Sequence, residues 1–203
     1  MAVGKFDTTA TRSSYDVVII GGAMYGSAVA WFLTDNPDFD GTVLVIERDP
    51  TYANSATAHT NSCIRQQFSN PLNVKISQFG AAFIKGFKGL MGNDPRVPDL
   101  SIQSYGYMYL ADTDAFADQL RAAQKVQIDA GAATQLMTPA QVKEAYPFYT
   151  VDDIVLGSIN LIDEGYWDGG TVFDWWRRSA RERGVEYITG EVTSMHVVGP
   201  RVH

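Results

Sequence analysis

The sequence predicts an α/β fold built on a parallel βαβ unit, and three observations support this prediction. An apolar run at 17–20 enters the glycine-rich segment Gly21-Gly22-Ala23-Met24-Tyr25-Gly26. A second apolar run at 43–46 ends on the acidic residue Glu47. Between them, the stretch from Met24 to Leu33 is almost wholly apolar, which suits a helix packed against a parallel sheet.

The glycine segment has the form of a dinucleotide-binding turn. In such a turn the free N–H groups at the start of the helix face a pyrophosphate, and the acid that ends the second strand binds a ribose hydroxyl. Glu47 follows Gly26 at close to the roughly 20 residues expected of that acid. The alternative is a plain βαβ crossover with a tight turn, which leaves the acid at the strand end unexplained.

Two details refine the expected ligand. Ala23 stands where the second glycine of the fingerprint lets the backbone approach the pyrophosphate, so we expect a weakened or displaced contact rather than lost binding. Glu47 suits a free 2′-hydroxyl and would repel a 2′-phosphate. The expected cofactor is therefore FAD or NAD and not NADP.

Composition and charge are those of an ordinary globular chain. Its 203 residues are 45% hydrophobic and 12% aromatic, enough for one large or two small domains. The formal net charge is -7 and no basic stretch is interleaved with aromatic residues, so we expect no nucleic-acid partner. The one cationic cluster is expected to be a solvated helix end. It consists of Arg177, Arg178, Arg181 and Arg183.

The single cysteine and the N-terminal segment bear on the cellular setting. Cys63 has no partner for an intramolecular disulfide, fits a reducing compartment and, with no base beside it in sequence, is expected to be buried or a spectator. Residues 1–14 are polar and lack an apolar core, so they predict a disordered lead rather than a secretory signal or a membrane span. We therefore expect a cytoplasmic location, no membrane partner and no metal.

Further elements follow in order along the chain. The polar segment 51–62 is too long for a simple turn and is a candidate functional loop. The strand expected at 104–110 carries three tyrosines on one face, for which sheet packing is favoured over lining a ligand pocket. An amphipathic helix is predicted by the apolar positions Leu72, Ile76, Phe79, Phe83 and Phe87. Other strands are expected at 154–161, 185–188 and 191–198, and helices at 113–130, from Thr138 with a capping box, and at 171–183.

Four motifs then occur in a fixed order and spacing. Together they resemble the FAD-dependent oxidoreductases of the D-amino-acid oxidase family, in particular the branch of sarcosine and dimethylglycine oxidases and dehydrogenases. The resemblance runs from Tyr15 to about Val198 and covers about the first half of the family's usual length; the chain also ends inside what looks like an unfinished strand hairpin, which suggests a fragment. The motifs are Val17-Val18-Ile19-Ile20-Gly21-Gly22, Ile46-Glu47-Arg48-Asp49, Ile64-Arg65-Gln66-Gln67-Phe68 and Asp163-Glu164-Gly165-Tyr166-Trp167-Asp168.

The resemblance implies a fold with two parts. These are a Rossmann-like FAD-binding βαβ domain and part of an antiparallel-sheet substrate domain, of α+β type. After the lead at 1–14, the FAD-binding domain would begin at 15–100, the substrate-domain segment would occupy 101–165, and 166–203 would return to a truncated FAD-binding domain.

The resemblance also implies which residues hold FAD. Gly21, Gly22, Ala23 and Gly26 would surround the pyrophosphate. Glu47 with Arg48 would hold the adenosine ribose and its surroundings. The loop 55–63 would run along the ribityl chain and the isoalloxazine, with Ser55, Ala56, Thr57 and His59 as its contacts. Val192 would meet the adenine through its backbone.

Two residues would carry the chemistry. Arg65 matches an arginine that meets the substrate carboxylate in sarcosine-oxidase-like members, and the structural alternative is a salt bridge to another carboxylate. His59 lies about where the dimethylglycine dehydrogenase branch has a histidine bonded covalently to the flavin. Because Ala58 replaces the tryptophan that usually precedes it, a noncovalent packing or hydrogen-bonding histidine is favoured.

The implied activity is hydride transfer to flavin from the carbon next to the nitrogen of an amino acid or N-methylated amino acid. The resulting imine is hydrolysed by water, and either oxygen or an electron-transfer partner would reoxidise the flavin. Two alternatives stay open. One is a FAD-binding assembly or scaffold protein without turnover, whose members the motif at 65–68 also resembles, and the other is an NAD-dependent dehydrogenase, which shares only the opening fingerprint.

Overall fold

The computed structural model describes residues 6–199 and the backbone of residues 201–202. The chain divides into two compact units. The discontinuous unit consists of the residues up to Thr60 and those from Gly169 onward, and the inserted unit is Asn61–Asp168. In chain order the elements are β1 Val17–Ile20, α1 Met24–Asp35, β2 Val43–Glu47, β3 Cys63–Ile64, α2 Pro71–Lys85, α3 Phe87–Leu90, β4 Tyr107–Ala111, α4 Asp114–Asp129, β5 Gln135–Met137, α5 Pro139–Ala145, β6 Leu156–Asn160, β7 Gly165–Tyr166, α6 Gly169–Glu182, β8 Glu186–Thr189, β9 Val197–Val198 and β10 Arg201–Val202.

The discontinuous unit contains the predicted parallel βαβ arrangement. Its sheet has the strand order β1-β2-β8, with β1 and β8 both parallel to β2. Helices α1 and α6 pack against each other, and the core between helices and sheet includes Ala30, Val45 and Phe173. Since parallel strands end at one edge of a sheet, the turn after β1 and Glu47 at the end of β2 lie at that same edge.

The segment before β1 is ordered against the sheet where the structure describes it. Phe6 is buried in the core, and Asp7 forms a parallel bridge to Ile188 of β8. The Thr11 N–H donates to Glu186 Oε1 at 2.7 Å. The disordered lead expected at 1–14 is therefore wrong for residues 6–14, because the free edge of β8 and an apolar pocket hold them; residues 1–5 lie outside the described residues.

The arginine cluster at the end of α6 is only partly a solvated helix end. Each guanidinium stacks on an aromatic ring, an arrangement that contributes cation–π attraction as well as solvation. The pairs are Arg177 with Tyr52 and Phe173, Arg178 with Trp175, Arg181 with Phe6, and Arg183 with Trp31.

The inserted unit confirms the expected antiparallel sheet. Strands β4 and β5 both pair antiparallel with β6, giving the order β4-β6-β5, and α4 packs on this sheet. A separate two-stranded ladder joins β3 to β7. Because β3 pairs within this unit, the first unit boundary falls after Thr60 and not near residue 100, where the sequence placed it. The capping box at Thr138 is present as predicted.

Two local expectations differ from the structure. Helix α2 forms as predicted, but of the predicted apolar stripe only Phe83 and Phe87, the latter in α3, are buried, whereas Leu72, Ile76 and Phe79 are exposed. Residues 191–196 form no strand, and only the last two residues of the strand predicted at 191–198 do so, pairing with 201–202. Pro200 and His203 of the expected hairpin lie outside the described residues. Of the two roles expected for Cys63, the exposed thiol excludes the buried one and agrees with the spectator one.

Candidate functional site

The glycine turn between β1 and α1 has a backbone that side chains would disrupt. Gly21 has φ of 91°, a conformation that residues with a Cβ rarely adopt. A Cβ placed on Gly26 would lie 1.8 Å from the carbonyl oxygen of Gly21, so only glycine allows the helix to start this close to the turn. A Cβ on Gly22 would lie 3.0 Å from Val45 Cγ1, which leaves very little room. The backbone of these glycines therefore has the tight geometry that a dinucleotide-binding turn requires.

The N-terminus of α1 has no acidic residue in its own first turn to offset the positive end of the helix dipole. Its N-cap residue, Ala23, makes no side-chain hydrogen bond, and the first turn contains no acidic residue. The Met24 N–H donates to Thr57 Oγ1 at 3.2 Å. The helix dipole and the amides that the Ala23 side chain cannot cap form the kind of helix start that binds phosphate groups. Ala23 itself packs against the core, which accommodates the methyl group that the fingerprint lacks at this position.

Glu47 faces the glycine turn from the end of β2. The side chain is buried, and its Oε2 accepts a 2.7 Å hydrogen bond from the Gly22 N–H. Oε1 accepts from the Asp49 N–H at 2.8 Å. A carboxylate has about four lone-pair sites, so these bonds leave acceptor capacity for ribose hydroxyls. Arg48, the next residue, is exposed.

The loop predicted at 51–62 is a series of turns within the described residues. Ser55 organises one of these turns: its Oγ donates to the Tyr52 carbonyl at 2.8 Å and accepts from the Ala58 N–H at 3.2 Å. Ala56 and His59 are exposed, and Thr57 is half-buried beside the start of α1. The loop thus brings Thr57 to the glycine turn and leaves the His59 side chain accessible.

Tyr52 is a residue of this site that the sequence did not single out. It has φ of 58°, and its hydroxyl would lie 3.2 Å from a Cβ on Gly22. Among the described residues this buried hydroxyl has no hydrogen-bond partner. Burial raises the pKa of Tyr52 to about 12, although the neighbouring Arg177 opposes the rise. A tyrosine that follows a proline and a threonine in a polar loop carries no sequence signal for this position.

The discontinuous unit therefore fits FAD at its glycine turn. The turn, the start of α1 and the buried acid meet at one edge of the sheet, where the turn-and-acid prediction placed them. Val192 is half-buried in a segment without regular structure, so it does not present a strand edge. Within the described residues, no cluster of three or more His, Cys, Asp or Glu side chains could hold a metal ion, and no helix is long and apolar enough to cross a membrane.

Arg65 lies in the inserted unit, directly after β3. Its guanidinium carbon is 4.8 Å from the centre of the Phe68 ring and 5.5 Å from the centre of the Tyr107 ring. Its Nε is buried and has no hydrogen-bond partner among the described residues. Burial raises the pKa of the nearby Tyr109 hydroxyl, and the charge of Arg65 opposes that rise. The predicted tyrosine face thus packs partly on an arginine and not only within the sheet.

Glu164 is a fully buried acid close to this arginine, and no role was predicted for it from the sequence. Its Oε1 accepts from the Gln66 N–H at 2.6 Å and from Asn160 Nδ2 at 2.9 Å. Its Oε2 accepts from Gln67 Nε2 at 3.0 Å. Burial raises the pKa of Glu164, while these hydrogen bonds and the Arg65 charge oppose the rise. Its place in the fourth motif, between Asp163 and Gly165, was the one available signal.

Comparison with known proteins assigns this fold to a family. The family model described as FAD dependent oxidoreductase (DAO) matches residues 16–203. A relative from Xenopus laevis, FAD-dependent oxidoreductase domain-containing protein 1, is 36% identical over 182 residues, which cover 88% of this chain and 36% of the relative. The chain thus spans little more than a third of that relative's length.

Solved structures share the fold at low sequence identity. L-proline dehydrogenase from P. horikoshii superimposes with a TM-score of 0.73 and 22% identity, over 98% of this chain and 48% of that one. Glycine oxidase from Bacillus cereus gives a TM-score of 0.68 and 20% identity, over 92% of this chain and 49% of that one. The matched family is FAD-dependent, so FAD is the cofactor and the NAD-dependent alternative is wrong. The chain belongs to the DAO family of FAD-dependent oxidoreductases.

Proposed function

We propose that the complete protein containing this sequence oxidises the C–N bond of an amino acid or N-methylated amino acid, with Arg65 binding the substrate carboxylate. The single observation that carries the proposal is the state of Arg65. Its guanidinium is held over two aromatic rings, yet its buried Nε lacks a hydrogen-bond partner among the described residues. A buried donor of this kind calls for an acceptor, and a carboxylate is the acceptor that matches a planar guanidinium.

In this proposal the discontinuous unit holds the cofactor. Bound FAD would supply the two-electron acceptor for the oxidation. The backbone amides at the start of α1 would hold the pyrophosphate, and Glu47 would accept hydrogen bonds from the ribose. Further contacts are proposed at Gly21, Gly22, Ala23, Gly26, Arg48, Ser55, Ala56, Thr57, His59 and Val192, with His59 a noncovalent contact.

The protein's own contribution to the reaction would be orientation. A carboxylate fixed by Arg65 restricts the rotation of a small substrate, so that its reacting C–H keeps one direction. A displacement of about 1 Å can lower a rate by about 100-fold. The names of two proteins with this fold, L-proline dehydrogenase and glycine oxidase, refer to substrates that combine an amine with a carboxylate. Sarcosine, dimethylglycine and D-amino acids have the same two groups.

The acceptor of the electrons and the activity of this stretch alone are also proposals. Oxygen or an electron-transfer partner would reoxidise the complete protein. We expect the 203-residue chain alone to bind FAD poorly and to be inactive, because it matches only 36% of the length of its Xenopus laevis relative.

The proposal is tested on the complete protein loaded with FAD. Anaerobic mixing with sarcosine, dimethylglycine and a set of D-amino acids is expected to bleach the flavin absorbance with at least one of them. For that substrate, Arg65→Met should raise KM about 100-fold or more, by loss of a charge-assisted bidentate contact. Arg121→Met is the matched control, because Arg121 is exposed on α4 and pairs with Asp118.

Two results would count against this function. If the flavin stays oxidised with every amine tested, a FAD-binding assembly or scaffold role is favoured instead. If turnover occurs but Arg65→Met changes KM no more than Arg121→Met does, the carboxylate is bound elsewhere.

A further inference from the structure

We propose that Glu164 is a positioning residue for Arg65: its buried carboxylate fixes the chain segment that carries Arg65 and supplies the opposing charge that holds the guanidinium. The inference rests on the function proposed for Arg65. It adds a second residue to that site, one that acts through the arginine and does not touch the substrate.

The β3–β7 ladder brings the two residues together. Ile64 pairs with Gly165 in this antiparallel ladder, so Arg65 and Glu164 are the next residues on the two facing strands. The Gln66 N–H, one residue beyond Arg65, donates to Glu164 Oε1 at 2.6 Å. Gly165 has φ of 143°, and a Cβ there would lie 2.0 Å from the Gln103 carbonyl oxygen, so the backbone beside Glu164 has little freedom. The position of Glu164 is therefore determined by the fold.

Backbone groups fix the orientation of the amides that surround Glu164. Gln67 Nε2 donates to the Tyr107 carbonyl at 2.6 Å, and a carbonyl oxygen accepts only from a donor. Asn160 Oδ1 accepts from the Ile162 N–H at 2.9 Å, which turns its Nδ2 toward Glu164. The carboxylate thus receives three N–H donors and faces no acceptor among them. Such an environment favours the ionised form and excludes an amide of the same shape.

A buried negative charge needs a nearby positive charge. Glu164 is 0% exposed, and Arg65 is the cation whose charge stabilises its ionised form. The attraction is mutual, so the carboxylate also limits the movement of the guanidinium over Phe68 and Tyr107. Removing the carboxylate would free the guanidinium to turn away from the direction in which it meets a ligand.

A double-mutant cycle in the complete, FAD-loaded protein tests the proposal. The probe is propionate, and propionamide is the uncharged control; binding is followed by the change in visible absorbance of the bound flavin. Glu164→Gln is expected to weaken propionate binding about tenfold, a size typical of coupled neighbours, and to leave propionamide binding unchanged. In the Arg65→Met background the same substitution should have no further effect. Glu164→Asp, which keeps the charge, should recover part of the affinity, and Glu144→Gln, an exposed acid of the same unit, should change nothing.

The outcomes separate the two proposals. If Arg65→Met leaves propionate binding unchanged, the function proposed for Arg65 is wrong and this inference falls with it. If Arg65→Met weakens binding while Glu164→Gln has no effect, strengthens binding, or has the same effect in both backgrounds, only the positioning role is wrong. Should the Glu164 variants fail to fold, Gln67→Met, which removes one donor to Glu164 at similar side-chain volume, enters the same cycle with the same criteria.

Discussion

Glu47 accepts hydrogen bonds from the Gly22 N–H in the glycine turn and from the Asp49 N–H just after strand β2, and its remaining lone pairs are available to a ribose. Glu47→Gln replaces one acceptor oxygen by an NH₂ group, which must face a backbone N–H or the ribose. We expect the dissociation constant of FAD to rise about 10- to 100-fold, in line with the roughly 1.5–3 kcal/mol of a hydrogen bond to a charged group.

The measurement is titration of the FAD-free complete protein with FAD, followed by flavin fluorescence. Asp38→Asn is the control, because this exposed acid lies in the loop before β2. Equal affinities of wild type and Glu47→Gln would contradict the role of Glu47 in binding the ribose.

The burial of Glu164 predicts that the stability of the fold depends on pH. Because burial raises its pKa above the ordinary 4.5, the folded state binds a proton more tightly than the unfolded state does. The protonated Glu164 side chain contributes fully to stability at pH values below its pKa in the unfolded chain. This contribution is lost as pH rises through its higher pKa in the folded chain. The free energy of unfolding of the chain should therefore decline from about pH 4.5 upward until Glu164 is ionised.

Urea unfolding of wild type and Glu164→Gln across this pH range measures that decline. Hydrogen bonds lower the carboxyl pKa values of Asp16, Asp49 and Glu186. These three groups therefore make the free energy of unfolding rise with pH, and they do so at pH values below their ordinary pKa. The decline should be absent in Glu164→Gln. A decline of equal slope in both proteins would mean that another group causes it.

At the scale of elements, the start of α1 depends on Gly26. Gly26→Ala would drive a methyl group to within 1.8 Å of the Gly21 carbonyl, so the turn or the helix must shift. We expect a loss of about 1–3 kcal/mol of stability, as for other overpacked sites, together with loss of FAD binding.

Gly80→Ala is the matched control for this glycine substitution. Gly80 lies inside α2, and the nearest atom to an added Cβ is Ile64 Cδ1 at 3.6 Å, an ordinary contact. Because alanine stabilises a helix interior more than glycine does, the free energy of unfolding of this variant should rise by about 0.5–1 kcal/mol. The midpoints of urea unfolding give both values, and a Gly26→Ala variant as stable as Gly80→Ala would show that the turn relaxes freely.

The elements that could be predicted from sequence are those with local causes. The turn after β1 follows from glycines at fixed spacing, and α5 follows from a capping box at Thr138. Strands β3 and β7 were missed because each has two residues and exists only through a partner about 100 positions away in the chain. The strand predicted at 191–198 forms only at 197–198, because a strand needs a partner strand and only these two residues pair with one, at 201–202. The burial of Glu164 was not predicted either, because it depends on the same pairing of β3 with β7.

At the scale of the whole molecule, the two units differ in how the chain builds them. The discontinuous unit needs segments from both ends of the sequence, because β8 joins β1 and β2 in one sheet. The inserted unit is continuous, and its ladder, its three-stranded sheet and the hydrogen bonds of Glu164 all lie inside 61–168. A continuous segment with its own sheet and core has the properties of an independently folding domain.

We therefore expect residues 61–168, expressed alone, to fold with a cooperative transition. The far-ultraviolet circular dichroism spectrum should show both helix and sheet. Urea unfolding should give one transition with the same midpoint by circular dichroism and by fluorescence. Because Leu72, Ile76 and Phe79 of α2 are exposed, the triple variant with glutamine at these positions should keep the same transition while self-associating less in sedimentation. Gly165→Ala is the internal control, since its Cβ would meet the Gln103 carbonyl oxygen at 2.0 Å and should abolish the transition. A non-cooperative melt of the unaltered segment would mean that the inserted unit depends on the rest of the chain for its fold.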